Sequence, residues 1–111
     1  MPYLKVQTNK DVKKDDLPEK FSAKLAESLG KSESYVMVAF EDNVNMSFGG
    51  NKKPTAFMEL KSIGLKANMT EDLSKMLCTL AHQELGVAKN RVYIEFKDAP
   101  GKMWGWNSGT F

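Results

Sequence analysis

Cysteine is nearly absent. Cys78 stands alone among 111 residues, so no intrachain disulfide can staple the fold and the redox compartment is left open. Histidine is equally scarce, with His82 alone. No grouping of His, Cys and carboxylates has the spacing of metal ligands, so no metal is expected. Charge of one sign does not dominate either: sixteen basic and fourteen acidic side chains leave +2, interspersed without a long run. Nucleic acid and membrane surfaces therefore lack electrostatic support as partners. No apolar stretch approaches the length of a membrane span. No basic segment followed by an apolar run opens the chain, so no secretory leader is expected. The cytoplasm is the expected location, and secretion would need a leaderless route. Gly49-Gly50 lacks the strand-to-helix context of a phosphate cradle, and the seven methionines read as packing. Asn68-Met69-Thr70 matches a glycosylation acceptor but reads better as a helix start.

What is present is an ordinary globular composition, 41% hydrophobic and 27% charged, at a length that fits one domain over residues 1–111. Strict alternation predicts a strand over Tyr3 to Thr8. Leu17, Phe21, Leu25 and Leu29 recur every four residues and predict a helix. Asp15 or Asp16 is its expected cap, Pro18 sits in its first turn and Gly30 ends it. A second strand is expected over Tyr35 to Glu41, then a polar loop with a short strand around Met46 to Phe48. A third strand is expected over Thr55 to Ile63. A second helix, capped by Asn68 or Thr70, carries Leu73, Met76, Leu77, Leu80 and Ala81 on one face and stops at Gly86. His82 lies off that stripe, as a surface or interface residue. A fourth strand is expected over Arg91 to Lys97, followed by a turn at Asp98-Ala99-Pro100-Gly101.

The chain repeats itself. Leu29-Gly30 matches Leu85-Gly86 at an offset of 85 − 29 = 56. At the same offset Leu4, Leu17, Phe21, Val36, Phe40 and Asp42 fall on Leu60, Leu73, Leu77, Val92, Phe96 and Asp98. The pattern predicts an α+β two-layer sandwich of two strand-helix-strand repeats: a four-stranded sheet with two helices on one face. Helical crossovers make the strands within each repeat parallel. One parity, including Leu4, Val6, Val38, Phe40, Met58, Leu60, Val92, Ile94 and Phe96, should meet the helices. The other carries Tyr3, Lys5, Gln7, Glu41, Glu59, Lys61, Tyr93, Glu95 and Lys97. That polar face fits open solvent or a wet channel between subunits. The tail from Met103 to Phe111, dense in Trp and Phe, reads as an interface or a pocket wall.

Pro2, beside the initiator methionine, would become a secondary amine at the tip of a strand if Met1 were trimmed. In an apolar pocket near other cations its charged form would be disfavoured and its pKa lowered toward that of a useful base. Tyr3, Tyr35, Ile63, Trp104, Trp106 and Phe111 are the available walls.

Met1-Pro2, Gly30-Lys31 with Tyr35 beyond, Phe48-Gly49-Gly50, Ser62-Ile63-Gly64, Arg91-Val92-Tyr93-Ile94 and Gly105-Trp106-Asn107 leading to Thr110-Phe111 resemble, in order, the macrophage migration inhibitory factor branch of the tautomerase superfamily. The resemblance runs along nearly the whole chain. It implies a homotrimer with sites between neighbouring subunits, and a cofactor-independent keto-enol tautomerase acting on phenylpyruvate-type keto acids with Pro2 as catalytic base. It also implies substrate binding by Lys31, the Ile63 backbone and Tyr93 of an adjacent subunit. Some members act as extracellular signals, so the alternative is a cytokine-like or intracellular protein-binding trimer with weak activity, with a protein receptor as partner if the chain is secreted. Three departures bear on this. Glu95 stands where the best-known relatives carry asparagine, and Trp104 where a small aliphatic residue is common. Thr55 and Met58 replace a Cys-x-x-Cys, which removes a thiol-disulfide activity of that type.

Overall fold

The computed structural model describes residues 1–111. Alternation produces the first strand as expected: β1, Tyr3–Thr8, buries Leu4, Val6 and Thr8 and leaves the intervening residues half-buried. Helix α1, Leu17–Leu29, carries Pro18 in its first turn and buries Leu17, Phe21 and Leu25. Gly30 closes it in the left-handed region, φ 64°, a conformation that costs glycine nothing. The next amide, Lys31 N–H, then donates back to Ala26 O at 3.0 Å. That closing bond fixes where Lys31 leaves the helix.

Strand β2, Met37–Glu41, starts later than the sequence suggests. Glu33–Tyr35 forms a 3₁₀ turn in which Ser34 N–H donates to the Ser32 hydroxyl. Sheet pairing begins only where Met37 N–H reaches Pro2 O at 3.0 Å. The polar loop contains no strand at Met46 to Phe48, only an isolated pairing of Phe48 with Asn51. Strand β3, Ala56–Ile63, alternates from buried Ala56 to buried Ser62. Helix α2, Thr70–Leu80, runs into one π turn, Ala81–Leu85, before Gly86 ends it at φ 68°. Strand β4 spans Val92–Ala99. It outlasts the expected end because β3 supplies partners to the last residue, Ile63 against Ala99, so Asp98 and Ala99 belong to the strand. A 3₁₀ turn, Gly101–Met103, leads to a small hairpin of β5, Gly105–Trp106, and β6, Gly109–Thr110.

Neither helix is capped by a side chain as the sequence suggested. A capping side chain needs an extended backbone to reach the N–H groups ahead of it. Asp16 (φ −96°, ψ 9°) and Met69 (φ −93°, ψ −17°) are not extended. Asp16 pairs with Lys20 instead, and the Thr70 hydroxyl donates to Ala67 O.

The sheet order is β2-β1-β3-β4. Within each repeat the strands are parallel, and β1 meets β3 antiparallel. Leu4 and Leu60, equivalent in the repeat, are also direct partners across that ladder, so a pseudo-two-fold axis passes between them. Both helices cover one face, where Leu4, Val6, Met58 and Leu60 are fully buried with Phe21, Leu25 and Leu77. Burying such a side chain contributes roughly 1.5–3 kcal/mol, and Phe21 adds an edge-on contact with Phe40 at 5.0 Å. The chain is therefore the α+β sandwich its repeat predicts. The opposite face has no covering layer. No helix is long and apolar enough to cross a membrane.

Candidate active site

Three segments converge on the N-terminal end of β1. The closed end of α1 delivers Lys31 and Ser32, the following turn delivers Tyr35, and the end of β3 delivers Ile63. The β1–β3 register sets Tyr3 against Lys61; carried two residues further, it sets Met1 against Ile63. The C-terminal Phe111 closes the ring, held by bonds from its N–H to Gly101 O at 3.1 Å and Trp104 O at 3.2 Å. Met1, Lys31, Ser32, Tyr35, Ile63 and Phe111 line a cavity of about 340 Å³.

Inside it, Lys31 Nζ donates to Ile63 O at 2.6 Å and to Ser62 Oγ at 3.2 Å. The ammonium is thus held at the rim by two of its three donors. The Met1 α-amine beside it is held below its ordinary value, first by burial and then by the Lys31 charge. Both effects disfavour the protonated form. Behind the cavity wall the aromatics interlock: Trp106 meets Tyr35 edge-on at 5.8 Å and stacks on Phe111 at 5.5 Å.

Pro2 itself is fully buried, one residue deeper than the cavity lining. In the chain with Met1 attached its nitrogen is an amide. Of the remaining sequence-derived candidates, Lys31, Ile63, Tyr35 and Phe111 are brought together. Trp106 supports them from outside, while Tyr3 and Trp104 do not line the cavity. Tyr93 and Glu95 lie elsewhere. Ala99 marks the Ile63 end of β4, and Tyr93 is six residues away along that strand, roughly 20 Å. One chain cannot bring Tyr93 to its own N-terminus.

Sequence reasoning passed over three contributors. Ser62 fills the buried side of β3 and anchors Lys31. Ser32 both lines the cavity and starts the turn that aims Tyr35. Asp98 Oδ1 accepts from Gly64 N–H at 2.9 Å and Leu65 N–H at 3.1 Å, fixing the bend directly after Ile63. Ser62 had a signal in its place beside Ile63 in the Ser62-Ile63-Gly64 stretch, and Asp98 had one in its match to Asp42 at the 56-residue offset; Ser32 acts through a turn that local sequence does not display.

The fold and cavity together define a class: a doubled strand-helix-strand sandwich whose N-terminal amine sits in an apolar pocket beside a lysine. The family model described as macrophage migration inhibitory factor matches residues 1–111. A macrophage migration inhibitory factor homolog of Trichinella spiralis is 39% identical over 116 aligned residues, with all of both chains covered. Among solved structures, a homologue from Prochlorococcus marinus superposes with a TM-score of 0.94 at 41% identity, covering 98% of each chain. The Trichinella spiralis structure gives 0.94 at 35% identity, covering 98% of this chain and 99% of its own. The chain belongs to the macrophage migration inhibitory factor family, within the tautomerase superfamily.

Proposed function

We propose that the protein is a cofactor-independent keto-enol tautomerase for phenylpyruvate-type aromatic 2-keto acids, working as a homotrimer with Pro2 as the base once Met1 is removed. The observation that carries this reading is the Met1 α-amine, one residue before Pro2, set in an apolar cavity beside Lys31 with its protonated form disfavoured. Trimming turns the Pro2 amide, which has no basic lone pair, into a secondary amine. That amine starts from a residue already fixed, because Pro2 is buried and its carbonyl accepts from Met37 N–H.

The reaction moves one proton. The Pro2 lone pair takes it from the carbon beside the carbonyl. The C–H electrons become the new C=C bond, and the carbonyl π electrons move to oxygen, which takes up a proton from water while the prolinium later returns its own to solvent. In reverse the prolinium N–H returns a proton to carbon. A base tuned near neutrality suits this step. Lys31 would pair with the substrate carboxylate, trading its bonds to Ser62 and Ile63 for a charge-assisted one. The Ile63 backbone lies opposite the terminus to meet a substrate oxygen. Tyr93 and Glu95 would join from a neighbouring copy, since their own chain holds them at the far end of the sheet.

The second reading, a cytokine-like or intracellular protein-binding trimer with weak turnover, is favoured by Glu95. It pairs directly with Glu59 across β3 and β4 on the open face, and two adjacent carboxylates would oppose an acidic substrate. Phenylpyruvate tautomerisation by trimmed wild type and by Pro2→Gly, with each mature mass measured, separates the two. The catalytic reading expects the variant to lose about a hundredfold or more. Full activity in a correctly trimmed variant sinks it, and an intact trimer that turns over no keto acid favours the binding reading.

A further inference from the structure

At the far end of the sheet a second constellation surrounds Tyr93. Arg91 immediately precedes β4, and every hydrogen bond of its guanidinium goes to one loop. Nε donates to Pro54 O at 2.9 Å, Nη1 to Phe48 O at 3.1 Å, and Nη2 to Lys53 O at 3.0 Å and Asn51 O at 3.5 Å. Four carbonyls of residues 48–54 thus converge on one planar fork. The loop is bent to allow this by Gly49 and Gly50, both at positive φ (61° and 81°), and is closed by Phe48 N–H on Asn51 O at 2.9 Å. The same guanidinium lies over the Phe48 ring, 5.1 Å from its centroid. That ring meets Tyr93 edge-on at 4.8 Å. Tyr93 is otherwise 64% exposed. A tyrosine so exposed on an edge strand would ordinarily sample several rotamers.

We propose that Arg91 is a positioning residue for the reaction: by gathering the 48–54 carbonyls it locks the Phe48 ring against Tyr93, and so sets the direction in which Tyr93 presents its hydroxyl to a neighbouring copy's cavity. The inference rests on the reading of Tyr93 as a substrate-facing residue given above. Arginine is required rather than a general cation, because lysine offers three donors at one point and cannot span carbonyls from four residues.

The test is a double-mutant cycle on the intact trimer, with phenylpyruvate as substrate. Arg91→Lys and Phe48→Leu are each made in the wild-type and Tyr93→Phe backgrounds. In the wild-type background each should lower kcat/KM about fivefold to twentyfold, within the span of coupling between contacting residues, and by less than about twofold when Tyr93 is already Phe. The Tyr93 ring signals in NMR should broaden or average in both variants while the fold and trimer persist. Phe48→Leu keeps the cycle decisive if Arg91→Lys fails to fold. Equal losses in both backgrounds overturn the positioning role alone. A silent Tyr93→Phe, with Pro2→Gly inactive, instead removes Tyr93 from the site, and the proposal falls with it.

Discussion

Lys31 links geometry to chemistry more directly than any other side chain. After burial, its ammonium is the next cause that holds the Met1 α-amine below its ordinary value, so replacing it with an uncharged residue should let an amine in that place take up a proton more readily. If Lys31 acts in the same way on the Pro2 amine of the trimmed chain, Lys31→Met raises that amine's pKa and moves the rising limb of kcat/KM to higher pH, read from a pH-rate profile and an NMR titration of the trimmed terminus. If Lys31 also meets the substrate carboxylate, KM for phenylpyruvate should rise about tenfold, the loss of one charge-assisted bond. An unchanged KM would remove Lys31 from substrate binding. The linkage to stability follows the same sign. The folded chain binds the terminal proton less readily than the unfolded chain, so stability rises with pH between the lowered and ordinary amine values. Gly101 is a second sensitive residue. A Cβ there would sit 3.0 Å from Phe111 O, so Gly101→Ala should force the Phe111 backbone to move aside by a few tenths of an ångström and loosen its bond to Gly101 O. A cost of about 1–3 kcal/mol is expected, visible as lost amide protection at Phe111.

At the scale of elements, the two repeats solve one problem twice. Asp42 and Asp98 occupy equivalent places at and after the second strand of each unit, and each accepts backbone N–H from the loop leaving the first strand. Asp42 holds Val12, and Asp98 holds Gly64 and Leu65. Asp98→Ala should cost about 1–3 kcal/mol, since bonds to a charged acceptor are the stronger kind. Asp42→Ala, with one such backbone bond, should cost less. Urea unfolding of both variants checks the order, and equal losses would deny the comparison. The helices are joined at their far ends by Glu84, which takes both Lys14 and Lys20. The Lys20 hydrogen bond is the main cause holding its carboxyl below the ordinary value. A depressed carboxyl stabilises above its unfolded pKa and loses that contribution as pH falls through the folded one. Glu84→Gln should accordingly flatten the acid side of the stability profile.

As a whole molecule the chain is a plate, not a sphere. Its radius of gyration is 14.2 Å and its extents 42 × 29 × 23 Å, against about 13 Å expected for a compact chain of this length. One sheet face is uncovered, and both edge strands expose a large side chain, Met37 at 66% on β2 and Tyr93 on β4. A trimer that covers these surfaces and shares its sites has a testable consequence. Co-expressed Pro2→Gly and Tyr93→Phe chains, each impaired alone, should regain activity in mixed trimers, with about a quarter of sites in a statistical mixture holding both native residues. No regain from verified mixed trimers would place Pro2 and Tyr93 in separate functions. A monomer by light scattering would defeat the shared site outright.

Much of this was legible in the residues. Period-two and period-four apolar spacing determined the strands, the helices and which sheet face is buried. The 56-residue offset determined that one unit is built twice, with Gly30 and Gly86 needed at equivalent helix ends because both are left-handed. Local patterns of this kind are written into side-chain order, so they survive without knowledge of contacts. Strand limits were not, because a strand ends where its partner does: β2 waits for Pro2 O, and β4 runs on to meet Ile63. The cap assignments failed because capping depends on backbone angles that the preceding turns impose. Only the tertiary structure decided that Lys31 bonds Ser62 and the Ile63 carbonyl and that Phe111 returns to the N-terminus. Each of these joins segments distant in sequence, and their meeting is set by register and packing.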